Sequence, residues 1–473
     1  MANSKKILIT NFGALSIVQA LNYALPLIIL PYLVRVIGPA KFGILAFAQA
    51  IVFYFTLIPD LGTNLYAPRE IALVKEDRRA LSSFVSGVLL IKVLFLCVAF
   101  VLYLGVVLIV PRFKDEALVF IFSAGYMIAN TLLPVWFFQG IEKMVNITKG
   151  LFVARALSMV LIFSLVREKG DYVLVPLINS GGLMIGALIM YALIYKEGIR
   201  IVRPARKVLC KILSESVPLF VSNVAISVYT GINTVVLGFL TTDVVVGYYS
   251  AAEKLVRAGM GIQGQLGYVF YPHTSSMLKI SEERGRASMR VGLVATMLLA
   301  VPACIFVITF PEQIVKFMFG QRFIGSIMPL KIMGLLFFII GLSNVFGIQV
   351  LLPLGKRKEV MKPTIGGGIL NVAVIFLLAP WLKQVGAAIA LVLSETLVTF
   401  WMYLEVRAMH IDLASRKVIL RLVSLATGLS LFAMILRFIH IGDVYGMGCF
   451  TMVYVALIFL LKLVDLNTRS IVT

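Results

Sequence analysis

Apolar blocks of eighteen residues or more follow one another along the whole of this chain, with only short polar stretches between them. At ~1.5 Å rise per helical residue, a block of ~20 residues matches the ~30 Å hydrocarbon core of a bilayer. The pattern predicts an all-α integral membrane protein with about fourteen spanning helices. They cover residues 12–34, 43–66, 84–109, 117–139, 147–165, 172–195, 216–240, 247–271, 291–310, 327–353, 363–380, 386–405, 418–438 and 445–462. The stretch after the short basic segment Met1–Lys6 is long enough to span, so it reads as a retained first helix rather than a cleaved leader. Composition agrees: 60% of residues are hydrophobic and the mean hydropathy is +1.01, far above a soluble domain.

The basic residues orient this array. Of 43 Lys and Arg, 28 fall in segments on one side of the predicted spans, counting the N-terminus, and 10 on the other. Cytoplasmic segments carry the excess of cations, so both termini are expected inside. The formal net charge of +21 follows from inner loops lying beside anionic lipid, and nucleic-acid binding is not required to explain it. No GxxxxGK[ST] loop, HExxH helix or cysteine-rich metal cluster occurs, so neither an ATPase engine nor a cofactor is expected. The four cysteines are scattered, without CxxC spacing, and read as free thiols.

The most basic connection, Lys196–Lys211, lies between the sixth and seventh spans and reads as a linker between two six-helix halves. A weak repeat supports this. Phe42-Gly43-Ile44-Leu45-Ala46-Phe47-Ala48-Gln49 in the second span parallels Val246-Gly247-Tyr248-Tyr249-Ser250-Ala251-Ala252-Glu253 in the eighth. An even number of spans per half gives both halves one orientation, related by an axis along the membrane normal. The expected domains are an N-terminal lobe 1–203, a second lobe 204–412 and an additional helix pair 413–473.

Four cations fall inside the apolar spans: Lys92, Arg155, Lys254 and Arg257. A charge at that depth costs ~2.5–3.5 kcal/mol on insertion scales, so it usually faces a bundle interior or a water-filled cavity, and here it points to an anionic guest. Lys254 and Arg257 are three residues apart on one helix face. Glu253, four residues before Arg257, could pair with it and cancel much of its charge. Lys92 is the cation expected to snorkel toward the interface. Asp60, Glu253 and Glu395 are acids at depth, candidates for a coupling proton or sodium or for local ion pairs. Polar stripes accompany them: Gln19 and Asn22 in the first span, Gln49, Thr56 and Asp60 in the second, Asn223, Ser227, Thr230 and Thr234 in the seventh. Asn22 and Asn223 are candidate binding residues, while Ser, Thr and Gly alone are better read as helix-packing residues.

Several longer segments resemble a known family. Leu30-Pro31-Tyr32-Leu33-Val34-Arg35-Val36-Ile37-Gly38-Pro39-Ala40-Lys41-Phe42-Gly43, Trp136-Phe137-Phe138-Gln139-Gly140-Ile141-Glu142-Lys143-Met144 and Gly247-Tyr248-Tyr249-Ser250-Ala251-Ala252-Glu253-Lys254-Leu255 are similar to the bacterial polysaccharide flippases. Those are the O-antigen and capsule repeat-unit translocases of the MATE-like multidrug/oligosaccharidyl-lipid/polysaccharide superfamily. The likeness covers roughly residues 10–405, and Ser343-Asn344-Val345-Phe346-Gly347-Ile348-Gln349-Val350 and Gly386-Ala387-Ala388-Ile389 extend it. It implies two six-helix lobes around a central cavity and no catalytic activity. It implies export of an undecaprenyl-diphosphate-linked oligosaccharide across the bacterial inner membrane. A polysaccharide polymerase and a chain-length regulator are candidate partners. The cations Arg155, Lys254 and Arg257, with Lys92 as the weaker one, are then expected to hold the diphosphate.

Two rivals stand beside this reading. A MATE-type drug or cation antiporter favours an acidic cavity, whereas here deep Lys and Arg outnumber deep acids. A membrane-embedded glycan polymerase or ligase needs a large outer loop, and the longest here is roughly residues 311–326.

Overall fold

The computed structural model of the chain describes residues 2–438 and 444–461. Side chains are described from Leu27 onward, except at 222, 225, 226, 228–230, 262, 268, 437, 444, 458 and 459. Among the described residues every regular element is helical, as the hydropathy pattern predicts. The chain divides into two compact units, Met1–Gly247 and Tyr248–Thr473.

Unit 1 contains α1 (Ala2–Asp60), α2 (Thr63–Val74), α3 (Arg78–Ile109), α4 (Pro111–Lys114), α5 (Ala117–Leu132), α6 (Val135–Gly140), α7 (Met144–Leu165), α8 (Leu174–Lys196) and α9 (Arg206–Leu240). The loop expected between the first two spans is reduced to a single break in α1. Gly38 adopts φ 78° and ψ 173°, a conformation that a side chain at this position would strain. Helix α7 packs on α8 through small residues. Gly150, Ala154 and Ser158, spaced by four, meet Gly182 and Gly186 so closely that an added methyl would collide with the opposite helix. Without a hydrophobic drive between helices in lipid, such close backbone approach is what holds them together. Buried hydroxyls bond back into their own helices, as Ser123 does to Val119 O at 2.7 Å and Thr131 to Met127 O at 2.7 Å. The packing reading of the lone Ser, Thr and Gly positions describes these residues. At the α2–α6 end, Trp136, Phe137 and Phe138 fill a core with Ile71, Phe84, Val85 and Ile212.

The division falls inside α10 (Asp243–Ile280). Unit 2 continues with α11 (Glu282–Thr309), α12 (Pro311–Phe319), α13 (Ile327–Met333), α14 (Leu336–Asn344), α15 (Arg357–Ala408), α16 (Arg416–Phe438) and α17 (Val444–Leu460). Helix α15 is also two helices in one, broken at Lys383. The C-terminal pair is anchored on α11. Helix α16 packs along it, and the Tyr454 hydroxyl of α17 donates to Leu298 O at 2.7 Å. Phe450 stacks with Phe306 and Phe310 at the other end of that contact.

Among the described residues nine helical segments are long and apolar enough to cross a bilayer. Two of them, Leu27–Val74 and Arg357–Ala408, run to 48 and 52 residues, well beyond the ~20 that one crossing needs. Arg357–Ala408 is broken at Lys383 into two pieces that are each long enough to cross, whereas the breaks at Gly38 and Leu61–Gly62 leave one such piece in Leu27–Val74. The last predicted span, 445–462, ends one residue outside the described ones.

Candidate functional site

The four deep cations occupy three different settings. Lys92, on α3, is buried to 1% exposure. Its Nζ lies 3.4 Å from Asp60 Oδ1 and donates to Asn64 Oδ1 at 3.1 Å. Asp60 ends α1, and the chain turns through Leu61 and Gly62, both at positive φ, before α2 begins. That break releases backbone groups. The Asn64 amide donates to Asp60 Oδ1 at 3.1 Å and the Thr63 hydroxyl to Asp60 O at 2.6 Å. The snorkelling expected of Lys92 is therefore absent, because an acid and an amide at the helix break offer its ammonium nearer acceptors than the interface does. Asp60, in turn, is placed as the partner of Lys92. Together they tie the α1–α2 break to α3.

Arg155, on α7, is half-buried. Its Nε is fully enclosed and has no hydrogen-bond partner among the described residues. Tyr126 of α5 lies within its electrostatic reach. A buried donor without an acceptor costs ~1–3 kcal/mol. The position therefore favours arrival of an acceptor. Asn223, on α9, is half-buried. Further along that face the Tyr54 hydroxyl donates to Ser227 O at 3.3 Å, joining α1 to α9. Asn22 lies outside the residues whose side chains are described.

In unit 2 the cations are open. Arg257 forms a fork with Glu253 one turn earlier: Nε and Nη2 both donate to Glu253 Oε1, at 2.9 and 2.7 Å. The arginine side chain is 45% exposed and the glutamate 15%. Glu395 of α15 and the buried Tyr249 both act electrostatically on Arg257. Lys254, beside them on α10, is exposed and lies in the field of Glu253. The group thus holds two formal positive and two formal negative charges. The pairing foreseen from the four-residue spacing is present, and it occupies one edge of the guanidinium. An anion arriving here meets an open ammonium and competes with Glu253 for the arginine. Oxygens of a phosphate suit that exchange, since a guanidinium fork matches phosphate as well as carboxylate.

Sequence reasoning missed two contributors. Asn64 follows Asp60 by four residues, a spacing that places both on one side of the break and could have been noticed. Tyr126 has no sequence signal, since α5 and α7 are brought near each other only by their shared packing on α1 and α8. Among the described residues no group of three or more His, Cys, Asp or Glu could hold a metal ion.

Comparison with known proteins adds the family. The sequence pattern of the family described as "Polysaccharide biosynthesis protein" matches residues 8–278. A protein of Escherichia coli (strain K12), provisionally described as an O-antigen transporter, is 31% identical over 408 residues, which is 86% of this chain and 98% of that protein. A protein of Shigella dysenteriae with the same provisional description is 28% identical over 400 residues, 84% of this chain and 99% of its own length. Among solved structures, the lipid II flippase MurJ in an inward closed conformation aligns with a TM-score of 0.72, covering 98% of this chain and 100% of its own at 14% identity. An inward-facing MATE-family multidrug transporter aligns with a TM-score of 0.63, covering 85% of this chain and 99% of its own at 15% identity. At those identities the likeness is one of fold.

Proposed function

The chain belongs to the polysaccharide biosynthesis protein family, and from that membership we propose that it is a flippase for lipid-linked oligosaccharides. It carries an undecaprenyl-diphosphate-linked unit from the cytoplasmic to the periplasmic leaflet of the bacterial inner membrane. The relatives in E. coli and S. dysenteriae, which carry the description of O-antigen transporters, support the polysaccharide cargo. The lipid II flippase supports the view that this fold can move a lipid-linked sugar. A MATE-type drug exporter shares the fold, but the family match and the curated relatives favour a polysaccharide cargo, so it is the weaker reading.

Within the structure, the observation that carries the reading is the exposed pair Lys254 and Arg257 on α10. A diphosphate cannot cross hydrocarbon unaided, because its charges lose their hydration. Fixed cations replace that hydration during passage, while the polyprenyl tail stays in lipid. We assign phosphate contact to Lys254 and Arg257 in unit 2 and to Arg155 in unit 1, with Tyr126 beside it. Lys92 is the weakest of the four, since its ammonium is already held by Asp60 and Asn64. Asn22 and Asn223 remain candidates for the sugar head. The cation distribution supports cytoplasmic termini, and fourteen spans in two six-helix lobes, 1–203 and 204–412, are the proposed organisation, although the compact units of the fold meet later, at Gly247–Tyr248. A polysaccharide polymerase and a chain-length regulator are the partners that would take the exported unit onward.

Deletion of the gene in its host tests the function. Accumulation of undecaprenyl-linked units on the cytoplasmic leaflet is expected. Single units accumulating on the periplasmic side would instead identify a polymerase.

A further inference from the structure

The connection from α8 to α9 is a fixed strip laid against α3. Gly198 turns the chain at φ 77°, a conformation that a side chain would strain, and packs against the Arg78 guanidinium. From there the linker runs extended along α3. The Arg200 amide donates to Ser82 Oγ at 3.4 Å and the Val202 amide to Ser86 Oγ at 2.9 Å. Arg78, Ser82 and Ser86 are each four apart, so they form one line down the helix. Eight residues at ~1.5 Å rise carry the strip about 12 Å along the flank of a spanning helix. Ile199 is buried in the unit's core and anchors it.

What the strip presents outward is a mixture of cations and apolar groups. Arg78, Arg79, Arg200, Arg203, Arg206 and Lys207 are all exposed. Ile201 is 85% exposed and Tyr195 77%. The segments 67–83 and 196–211 hold ten Lys and Arg against four acids. Three of those acids are engaged: Glu70 with Lys211, Glu197 with Lys143 at 2.6 Å, and Asp77 with the amides that open α3. Glu76, the fourth, is exposed and makes no ion pair among the described residues. The six outward cations make no ion pair among the described residues.

We infer that this strip is a binding surface for the headgroups of anionic bilayer lipids on the side where α3 begins. Three observations select that occupant. The strip descends along a membrane helix, so it sits at headgroup depth rather than in bulk water. Exposed Ile201 and Tyr195 suit the boundary between headgroup and acyl chain, where apolar bodies and polar tips are both accommodated. The uncompensated cations match phosphate charge, and each basic residue near an anionic surface adds to the attraction. Because Ser82 and Ser86 hold the backbone, the cations are presented as an ordered array and not as a loose tail. The inference does not depend on what the protein transports.

The test is phosphatidylglycerol retained by the purified full-length protein from nanodiscs of equal parts phosphatidylcholine and phosphatidylglycerol, against phosphatidylcholine alone. Replacing Arg200, Arg203, Arg206 and Lys207 by Gln should reduce retained phosphatidylglycerol about tenfold or more, given the per-cation attraction. The matching Lys replacements at the three arginines should retain it. A control with Arg357→Gln and Lys358→Gln, cations of unit 2, should retain it as well. Monodispersity of each variant shows that folding is not the cause. Equal retention by the strip variant and the control overturns the inference. So does displacement of phosphatidylglycerol by inorganic pyrophosphate at equimolar concentration, which would give the strip to the diphosphate of the cargo instead.

Discussion

Lys92 in unit 1 and Lys254 in unit 2 each fall in a stretch that the sequence reads as a span, where charge is costly. The fold encloses Lys92 and gives its ammonium an acid and an amide. It leaves Lys254 exposed, on a helix whose neighbouring Glu253 is forked onto Arg257. The two lysines have the same side chain and comparable depth, so neither explains the difference. The turn at Asp60–Gly62 supplies the acceptors that enclose Lys92, whereas α10 runs on as helix through Lys254 and leaves it at the surface. A buried, paired cation holds helices together. An exposed one, beside a pair that can be exchanged, can take an anion.

The comparison breaks most visibly at Lys92. Lys92→Met leaves Asp60 enclosed without its ammonium, and breaking a buried ion pair in this way costs about 3–5 kcal/mol. Membrane abundance and heat resistance in detergent should both fall severalfold. Adding Asp60→Asn should restore much of the loss, because no lone charge then remains. A single Lys92→Met variant as abundant and as heat-stable as the parent would show that the pair holds nothing.

A smaller effect sharpens the contrast at Arg155. Its Nε has no acceptor among the described residues, so removing the side chain forfeits no bond there and relieves a cost of ~1–3 kcal/mol. Arg155→Ala should insert at least as well as the parent while export per inserted molecule falls. Arg155→Lys should lie between, keeping charge but losing the planar fork. If abundance and export decline together, Arg155 is structural and belongs with Lys92.

Depth was legible in the sequence, and azimuth only partly so. The apolar blocks located the helices, while the small residues of α7 and α8, spaced by four, carried a packing signal that hydropathy alone does not read. The pairing of Glu253 with Arg257 was also readable, because both lie on one helix. Lys92 and Asp60 are 32 residues apart on different helices, and no periodicity in one helix reports what another brings to it. The break at Gly38 is smaller than the loop expected around Gly38-Pro39, since one residue at positive φ suffices to redirect the chain. The basic linker read as a plain connection for the same reason: the hydroxyls of Ser82 and Ser86 that fix it belong to a distant helix.

The central claim is that the open cations of unit 2 carry an anionic, lipid-linked cargo. Its most direct test is the transfer of an undecaprenyl-diphosphate-linked oligosaccharide across reconstituted vesicles, scored per inserted molecule by access of an external sugar-binding probe. The parent should expose the sugar well above protein-free vesicles. Lys254→Glu should insert normally and lose about tenfold or more of that transfer, since it sets a third carboxylate beside Glu253 and Glu395 where the diphosphate must sit. Transfer by a well-inserted Lys254→Glu protein at the parent's rate would contradict the account.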